Sequence, residues 1–203
     1  MKENAKYWSE LMSKLSDSYK QWFEDEKQFQ RKHIFPNAKV LDVGCGEGRN
    51  LNYIIDITKH LTGIDHSNLA ISEAKENLPS VKFIKADAEQ LPFEDNEFDF
   101  GICMTSFANF GENKYKILEE MKRVGKKIII SVFNEDAFDE RMKVYKNDKA
   151  SIVKIKKTTV FFDDGETSEQ FSQQELEDIF NKVSLKILEI KKVNIAYLCL
   201  LSQ

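Results

Sequence analysis

The sequence predicts an α/β domain built on a mostly parallel sheet. Between residues 39 and 133, short apolar segments typical of strands alternate with segments whose apolar residues recur at helical spacing. The first and fifth of these strands, Lys39–Val43 and Lys127–Phe133, are largely continuous apolar runs, which favours burial on both faces of the sheet. A chain of 203 residues suits one such domain.

The elements of this stretch follow in a regular order. The first strand leads into a glycine-rich turn, Gly44–Gly48, and then into a helix that carries Leu51, Ile54 and Ile55. Further strands are predicted at His60–Ile64, Val81–Lys85 and Phe98–Met104. Helices are predicted at Asn68–Leu78 and at Asn113–Val124, with Gly125 as the C-cap of the second.

The C-terminal part has a different pattern. Ile152–Phe162 is predicted to form one strand, and Ser172–Glu175 is a capping box that opens a helix over Gln173–Val183. The last two strands, Leu185–Val193 and Ile195–Leu201, are expected to form a hairpin at the edge of the sheet.

The N-terminal segment Lys2–His33 is predicted to be an amphipathic helix. Its apolar face carries Tyr7, Trp8, Leu11, Leu15, Tyr19, Trp22 and Phe23. Such a face packs on a core, and its aromatic rings could also line a site for a cationic ligand.

Composition excludes several classes of protein. The chain has 34 acidic and 30 basic residues, and only four of the basic residues are arginines, which argues against a dedicated nucleic-acid binder. No apolar run approaches the length of a membrane span, and the N-terminus lacks the apolar stretch of a signal peptide, so we expect a cytoplasmic protein. Cys45, Cys103 and Cys199 are too far apart for a metal site or a disulfide framework, so no metal is expected.

Three acidic residues lie at or near the ends of successive strands: Asp42, Asp65 and Asp87. Open parallel sheets bind ligands beyond the carboxyl ends of their strands. A glycine loop lets backbone amides approach a ligand, and a carboxylate after the second strand can accept both hydroxyls of a ribose. A third carboxylate can accept the amino group of adenine. The pattern therefore favours a nucleoside site.

The glycine loop narrows the choice of nucleoside ligand. A dinucleotide fingerprint would need glycine where Arg49 stands, and the chain contains no P-loop motif. Glu47, at the start of the following helix, would repel a pyrophosphate. A cofactor with ribose and adenine but no phosphate is the better match.

Three motifs in order carry a resemblance to a known family. VLDVGCGEGRN (Val40–Asn50), GIDHS (Gly63–Ser67) and ADAEQLPFEDNEFDFGICM (Ala86–Met104) resemble the successive motifs of class I S-adenosylmethionine-dependent methyltransferases. The chain looks most like the small, stand-alone group that acts on diverse metabolites. The resemblance implies a doubly wound, Rossmann-like, mostly parallel seven-stranded sheet with an antiparallel C-terminal edge hairpin and an N-terminal helical lid.

The resemblance also implies a cofactor, S-adenosylmethionine, with S-adenosylhomocysteine as its product. Carried over by position, the cofactor-binding residues are Asp42, Gly44, Cys45, Gly46, Asn50, Asp65, His66, Asp87, Ala88 and Met104, with Thr105 beside the last. In this assignment Asp65 binds the ribose, and Asp42 reaches the ammonium group directly or through water. His66 stands where the family usually has an apolar residue, and it either stacks on adenine or is an exposed turn residue.

The methyl acceptor is less well defined, and no residue can be nominated as a general base. Candidates for acceptor contact are Tyr7, Trp8, Tyr19, Phe107, Asn109, Arg141 and Tyr145. Arg141 and Tyr145 share a helix face and could bind a carboxylate, or Arg141 could form a surface ion pair. The Asn/Asp-Pro-Pro-aromatic tetrad of adenine and glutamine-amide N-methyltransferases is replaced by Met104–Phe107.

The favoured function is methyl transfer to a small-molecule amine, carboxylate or hydroxyl by a monomer or homodimer that does not bind membranes. One alternative is a tRNA or protein methyltransferase that docks its substrate on the lysine-rich segment 143–157; another is a non-catalytic cofactor-binding protein. The expected division is a lid at 1–35, a cofactor-binding core at 36–133, a substrate-side insertion at 134–171, and a C-terminal helix and hairpin at 172–203.

Overall fold

The computed structural model describes Ser13, residues 15–147 and residues 149–203. In this part of the chain, the main sheet contains β1 (Val40–Val43), β2 (Leu61–Asp65), β3 (Lys82–Lys85), β4 (Phe98–Met104), β5 (Gly125–Phe133), and the last two strands, β9 (Lys186–Val193) and β10 (Ala196–Ser202). A separate small sheet contains β6 (Ile152–Lys156), β7 (Thr159–Phe162) and β8 (Thr167–Ser168).

The helices of the described residues connect these strands. They are α1 (Asp17–His33), α2 (Arg49–Asn52), α3 (Asn68–Asn77), α4 (Lys114–Val124), α5 (Phe138–Asn147) and α6 (Gln173–Lys182). Short 3-10 turns lie at Ser106–Asn109, Gly111–Asn113 and Glu135–Ala137. None of the helices described is long and apolar enough to cross a membrane.

The strand order in the main sheet is β3-β2-β1-β4-β5-β10-β9. Strands β1 to β5 are parallel, and β10 is antiparallel to both of its neighbours. The predicted fold class is therefore confirmed, including the antiparallel hairpin at the C-terminal edge. The order reverses between β1 and β4, which creates a crevice beyond the carboxyl ends of those strands.

Helix α1 packs into the core of the domain. Trp22 is fully buried, its Nε1 donates to Ser131 Oγ of β5 at 2.7 Å, and its ring lies 4.7 Å from that of Phe133. The helix begins at Asp17, after Leu15 and Ser16 in non-helical conformation, so the expectation of one unbroken helix is wrong at this point. Serine in an extended conformation is a favoured residue immediately before a helix.

One further expectation is corrected by the backbone, and another is confirmed. The segment Ile152–Phe162 is a hairpin of β6 and β7, because the chain reverses at Lys157, which has a φ of 53°. Gly125 is the C-cap of α4, as expected, and its N–H donates to the Met121 carbonyl; its backbone is extended, with a φ of −122°, and it also begins β5. Its lack of a side chain serves close packing, since a Cβ there would lie 3.0 Å from the backbone nitrogen of Gly101.

Other predicted elements are confirmed with small shifts of their ends. The capping box is present, with the Ser172 side chain accepting from the Glu175 backbone N–H and the Glu175 side chain accepting from the Ser172 backbone N–H. The edge hairpin turns at residues 194–195. Helix α2 is shorter than its apolar pattern suggested, and turns follow it.

Candidate functional site

A cleft of about 200 Å³ lies beyond the carboxyl ends of the central parallel strands. Its walls include Gly44, Asp65, His66, Asp87 and Ala88, which the sequence had assigned to the cofactor. Asn109 and Phe110, which follow the fourth strand where the resemblance places the acceptor, also line it, and so do Glu89, Asn113 and Ile117, which sequence reasoning missed. The β4–α4 connection and α4 that supply most of these missed residues carry no motif that would have found them.

Asp65 is held at the end of β2 by the backbone around it. Its Oδ2 accepts from the Gly46 N–H at 3.0 Å, and its Oδ1 accepts from the Ser67 N–H at 2.9 Å. An ionised carboxylate offers about four acceptor positions, so two remain beyond those that the backbone uses. The side chain is 13% exposed, at the wall of the cleft. The arrangement can accept two hydroxyls of a ligand.

His66 and Asp87 flank Asp65 along the same wall of the cleft. The His66 side chain is 82% exposed, with Nδ1 3.6 Å from Asp65 Oδ1. Asp87 is exposed, and its Oδ1 accepts from the Glu89 N–H at 2.8 Å. The exposure of His66 and the contact between Asp87 and the Glu89 N–H are typical of turn residues, and both residues also line the cleft.

The glycine loop exposes backbone without side chains at one end of the cleft. Gly44, Gly46 and Gly48 have φ values of 74°, 52° and 89°, a region that other residues rarely adopt. A Cβ at Gly44 would lie 2.7 Å from Ser106 Oγ, which donates to the Gly44 carbonyl oxygen at 2.9 Å. At Gly46, no atom of the described chain lies within 4 Å of where a Cβ would be, so this backbone is open to a ligand.

Asp42 lies in β1 behind the glycine loop. It has no exposed surface, and neither of its carboxylate oxygens has a hydrogen-bond partner among the residues that the structure describes. Burial raises its pKa to about 8; Arg49 acts in the opposite direction, and the charges of Asp65 and Glu26 add to the increase. Buried acceptors without donors fit a ligand that brings N–H groups and positive charge.

Helix α1 contributes buried polar side chains next to this position. Glu26 is fully buried, and its Oε2 accepts from Arg49 Nη1 at 2.9 Å. Gln30, one turn later, is also fully buried and donates to Asn50 Oδ1 at 3.3 Å. The sequence held a signal for both, because polar residues follow Trp22 at four-residue intervals on an otherwise apolar helix face.

Several predicted cofactor residues lie behind the cleft instead of lining it. Cys45, Asn50 and Met104 are buried, with exposed fractions of 4%, 4% and 2%. Thr105 follows β4 with φ 76° and ψ −42°, and its Oγ1 accepts from Arg49 Nη2 at 3.2 Å. All three cysteines are free and buried, consistent with the role of small apolar side chains. Among the residues described, no group of His, Cys, Asp and Glu could hold a metal ion.

Two candidates for acceptor contact lie in the core, which speaks against their exposure to an acceptor. Tyr19 is 5% exposed, with its ring 6.0 Å from that of Phe133, and burial raises its pKa. Phe107 is fully buried against Phe110 and Phe171. The other two aromatic candidates from the N-terminus, Tyr7 and Trp8, lie outside the described residues.

Arg141 is also buried, so the alternative of a surface ion pair is wrong. Its guanidinium donates to Gln170 Oε1 at 2.8 Å, to the Ser168 carbonyl and hydroxyl at 2.6 and 2.8 Å, and to the Thr158 carbonyl at 3.2 Å. Tyr145, whose hydroxyl accepts from Arg141 Nε at 3.5 Å, donates to Ser168 Oγ at 2.7 Å. These neutral contacts fasten the small sheet to α5, and they occupy the donors that a carboxylate would need.

Comparisons with known proteins include a methyltransferase family model and a named methyltransferase. Residues 40–127 match the family described as "Methyltransferase domain". An uncharacterized protein of Methanocaldococcus jannaschii is 32% identical over 159 residues, which cover 71% of each chain. A protein of Pyrococcus horikoshii of known crystal structure has a TM-score of 0.69 and 25% identity, with 92% of each chain covered. A demethylmenaquinone methyltransferase of Renibacterium salmoninarum is 34% identical over 113 residues, and the match spans 47% of that enzyme.

Proposed function

Because this chain belongs to the class I S-adenosylmethionine-dependent methyltransferases, we propose that it transfers the methyl group to a small-molecule nucleophile. The cofactor is S-adenosylmethionine, and S-adenosylhomocysteine is the product. We propose further that the protein is cytoplasmic and acts as a monomer or homodimer. Residues 36–133 would bind the cofactor, and residues 134–171 would lie on the substrate side.

The donors and acceptors around the cleft fit this cofactor. Asp65 would take the two ribose hydroxyls with the acceptor positions that the backbone leaves free. Asp87 and Ala88 would meet the edge of the adenine, and His66 would stack on its face. The open backbone at Gly46 and the unpartnered carboxyl of Asp42 would serve the methionine part, whose ammonium group is a cation with three N–H donors.

The cofactor supplies a methyl group already activated on a sulfonium. The protein therefore needs mainly to align the acceptor with the methyl group and to exclude water. Asn109, whose side-chain amide can donate and accept, lies with Phe110 on the wall provided by the β4–α4 connection. An amine acceptor in its free-base form needs no dedicated general base.

The size of the cleft is the observation that carries the small-molecule proposal. A space of about 200 Å³ suits part of the cofactor and a small acceptor more readily than a folded macromolecule. The lysine-rich segment considered as a docking surface is divided between the end of α5 and β6, an edge strand of the small sheet. Lysines on an edge strand are also a common protection against aggregation.

Label transfer tests the proposal. The protein is incubated with methyl-labelled S-adenosylmethionine and, in parallel, with the small-molecule, tRNA and protein fractions of a cell extract. We expect label in the small-molecule fraction, and its loss in Asp65→Asn. A matched control is Asp99→Asn, because Asp99 also accepts from a backbone N–H, that of Lys39 at 3.0 Å, but lies at the opposite end of the sheet. Label found only in tRNA or protein would overturn the proposal, and cofactor binding without any labelled product would favour a non-catalytic protein.

A further inference from the structure

Three charged side chains from three elements meet behind the glycine loop. Glu26 of α1 and Asp42 of β1 have no exposed surface, and the side chain of Arg49 of α2 is only 20% exposed. We call these three residues the buried charge cluster. With both carboxyls ionised it would hold two negative charges and one positive charge, which is an expensive arrangement away from water.

The guanidinium of Arg49 is used by groups other than Asp42. Nη1 lies 2.9 Å from Glu26 Oε2 and 3.3 Å from the Tyr53 hydroxyl, and Nη2 lies 3.2 Å from Thr105 Oγ1. The flat face of the guanidinium is 4.0 Å from the ring centroid of Phe23. Asp42 therefore receives the field of this cation but no hydrogen bond from it.

Gln30 is a second buried side chain, besides Asp42, with an oxygen that lacks a hydrogen-bond donor among the described residues. Gln30 is fully buried, and its Oε1 has no partner in the part of the chain that the structure describes, although its Nε2 donates to Asn50. Gln30 lies one turn after Glu26 on the same buried face of α1, so this amide lies next to the buried charge cluster. Buried oxygens are normally satisfied, and several unsatisfied oxygens in one region indicate a ligand that carries N–H groups.

The buried charge cluster lies near the place proposed for the methionine part of the cofactor. Asp42 stands two residues before Gly44, which lines the cleft. We propose that cofactor binding is coupled to proton release: the ammonium group of the cofactor supplies the positive charge that the buried charge cluster lacks, and Asp42 gives up its carboxyl proton. The O–H bond of Asp42 breaks, the proton goes to the buffer, and the ammonium group keeps its own three protons. The inference rests on the cofactor site proposed above.

The titratable groups around Asp42 support this exchange. Burial holds its pKa at about 8, Arg49 opposes the increase, and Asp65 and Glu26 reinforce it. The neighbouring thiols of Cys45 and Cys103 have pKa values raised by burial and stay protonated, so they add no charge. At pH 7 the cofactor-free protein therefore holds Asp42 mostly as the neutral acid. A nearby ammonium favours the ionised form and lowers the pKa of Asp42.

Calorimetry measures the proton directly and does not depend on activity. S-adenosylhomocysteine is titrated into the full chain at pH 7 in two buffers with different enthalpies of ionisation. We expect release of most of one proton for each molecule bound. We also expect the affinity to rise by almost tenfold between pH 6 and pH 7, where the ammonium group stays protonated.

A ligand control separates this inference from cofactor binding itself. Methylthioadenosine carries the adenosine and a thioether but no ammonium group, so it should bind without releasing a proton. Equal proton release with both ligands, or none with S-adenosylhomocysteine, would overturn the inference and leave the cofactor site intact. If neither ligand binds, the cofactor site is wrong and the inference fails with it.

Substitutions test whether the released proton comes from Asp42. Asp42→Asn should bind S-adenosylhomocysteine with no proton release, and an unchanged release would overturn the assignment. Glu26→Gln should release fewer protons than the wild type, because removal of the Glu26 charge leaves Arg49 to lower the pKa of Asp42. This second variant decides the matter even if Asp42→Asn does not fold. Glu24→Gln, on an exposed position of the same helix, is the matched control and should behave as the wild type.

Discussion

Thr105 has a backbone conformation that a β-branched residue rarely adopts. Its φ is 76° and its ψ is −42°, and it is held there by the Arg49 contact and by its own N–H, which donates to the Ser131 carbonyl at 3.0 Å. Such strain has a free-energy cost of about 1–3 kcal/mol, and it is often found at functional sites. Thr105 follows the strand end where the resemblance places the methionine part of the cofactor.

Two substitutions at Thr105 should change the free energy of unfolding by different amounts. Thr105→Val keeps the strain and removes the oxygen that accepts from Arg49, so it should lower the free energy of unfolding by about 1–2 kcal/mol. Thr105→Gly loses the same contact but relieves the strain, so we expect a smaller loss or none. Urea denaturation of the cofactor-free variants measures both values. Equal losses in the two variants would show that the backbone at this position is not strained.

The sequence was informative for residues at strand ends and less so for residues that a distant helix brings to the site. Asp65 and Asp87 could be predicted because each follows a recognisable strand, and both lie at the cleft. The four-residue spacing from Trp22 indicates that Glu26 faces the core, but its contact with Arg49 could not be predicted, because that contact depends on how α1 packs across the sheet. The burial of Arg141, a candidate for carboxylate binding with a surface ion pair as the alternative, could not be predicted for the same reason, because its partners come from residues 158–170.

At the scale of elements, one buried hydrogen bond joins α1 to β5. Ser131 Oγ accepts from Trp22 Nε1, and the Ser131 hydroxyl in turn lowers the pKa of Glu26, although burial raises that pKa overall. Ser131→Ala would leave the Trp22 N–H buried without an acceptor, so we expect a loss of about 1–3 kcal/mol in the free energy of unfolding. Denaturation in urea measures it, with the exposed Ser80→Ala as the control, expected to change little. An unchanged free energy of unfolding in Ser131→Ala would show that this hydrogen bond does not stabilise the packing of α1 on β5.

The elements themselves show where sequence patterns are sufficient. Alternating strand and helix segments predicted β1 to β5 closely, because apolar periodicity follows burial in a parallel sheet. The β6–β7 hairpin was missed because its turn at Lys157 contains neither glycine nor asparagine, the usual signals of a positive φ. Gly125 was correctly predicted as the C-cap of α4, whereas the close packing between strand and helix backbone that it also permits could not be predicted from sequence.

At the scale of the whole molecule, Asp42 links stability to pH. Its pKa is about 8 in the folded chain against a usual value of 3.8, so the folded state keeps a proton that the unfolded state loses. The stability contributed by this group is full below pH 4 and decreases as the pH rises towards 8, by at most about 1.4 kcal/mol per pH unit.

Asp42→Asn, which has no such proton, should therefore gain stability relative to the wild type as the pH rises from 5 to 8. Urea denaturation of both proteins at several pH values measures the difference. Glu26, whose pKa burial also raises, is present in both proteins, so most of its effect cancels. A difference that stays constant over this range would show that Asp42 is ionised throughout.

The proposed function requires that the cleft beside Asp65 holds S-adenosylmethionine. Calorimetric titration of the wild type with S-adenosylhomocysteine tests it most directly, with NAD as the competing nucleotide. We expect binding in the low micromolar range, about −8 kcal/mol, far weaker binding of NAD, and at least a tenfold loss of affinity in Asp65→Asn but not in Asp99→Asn. A preference for NAD, or an Asp65→Asn variant that binds as tightly as the wild type, would contradict the account.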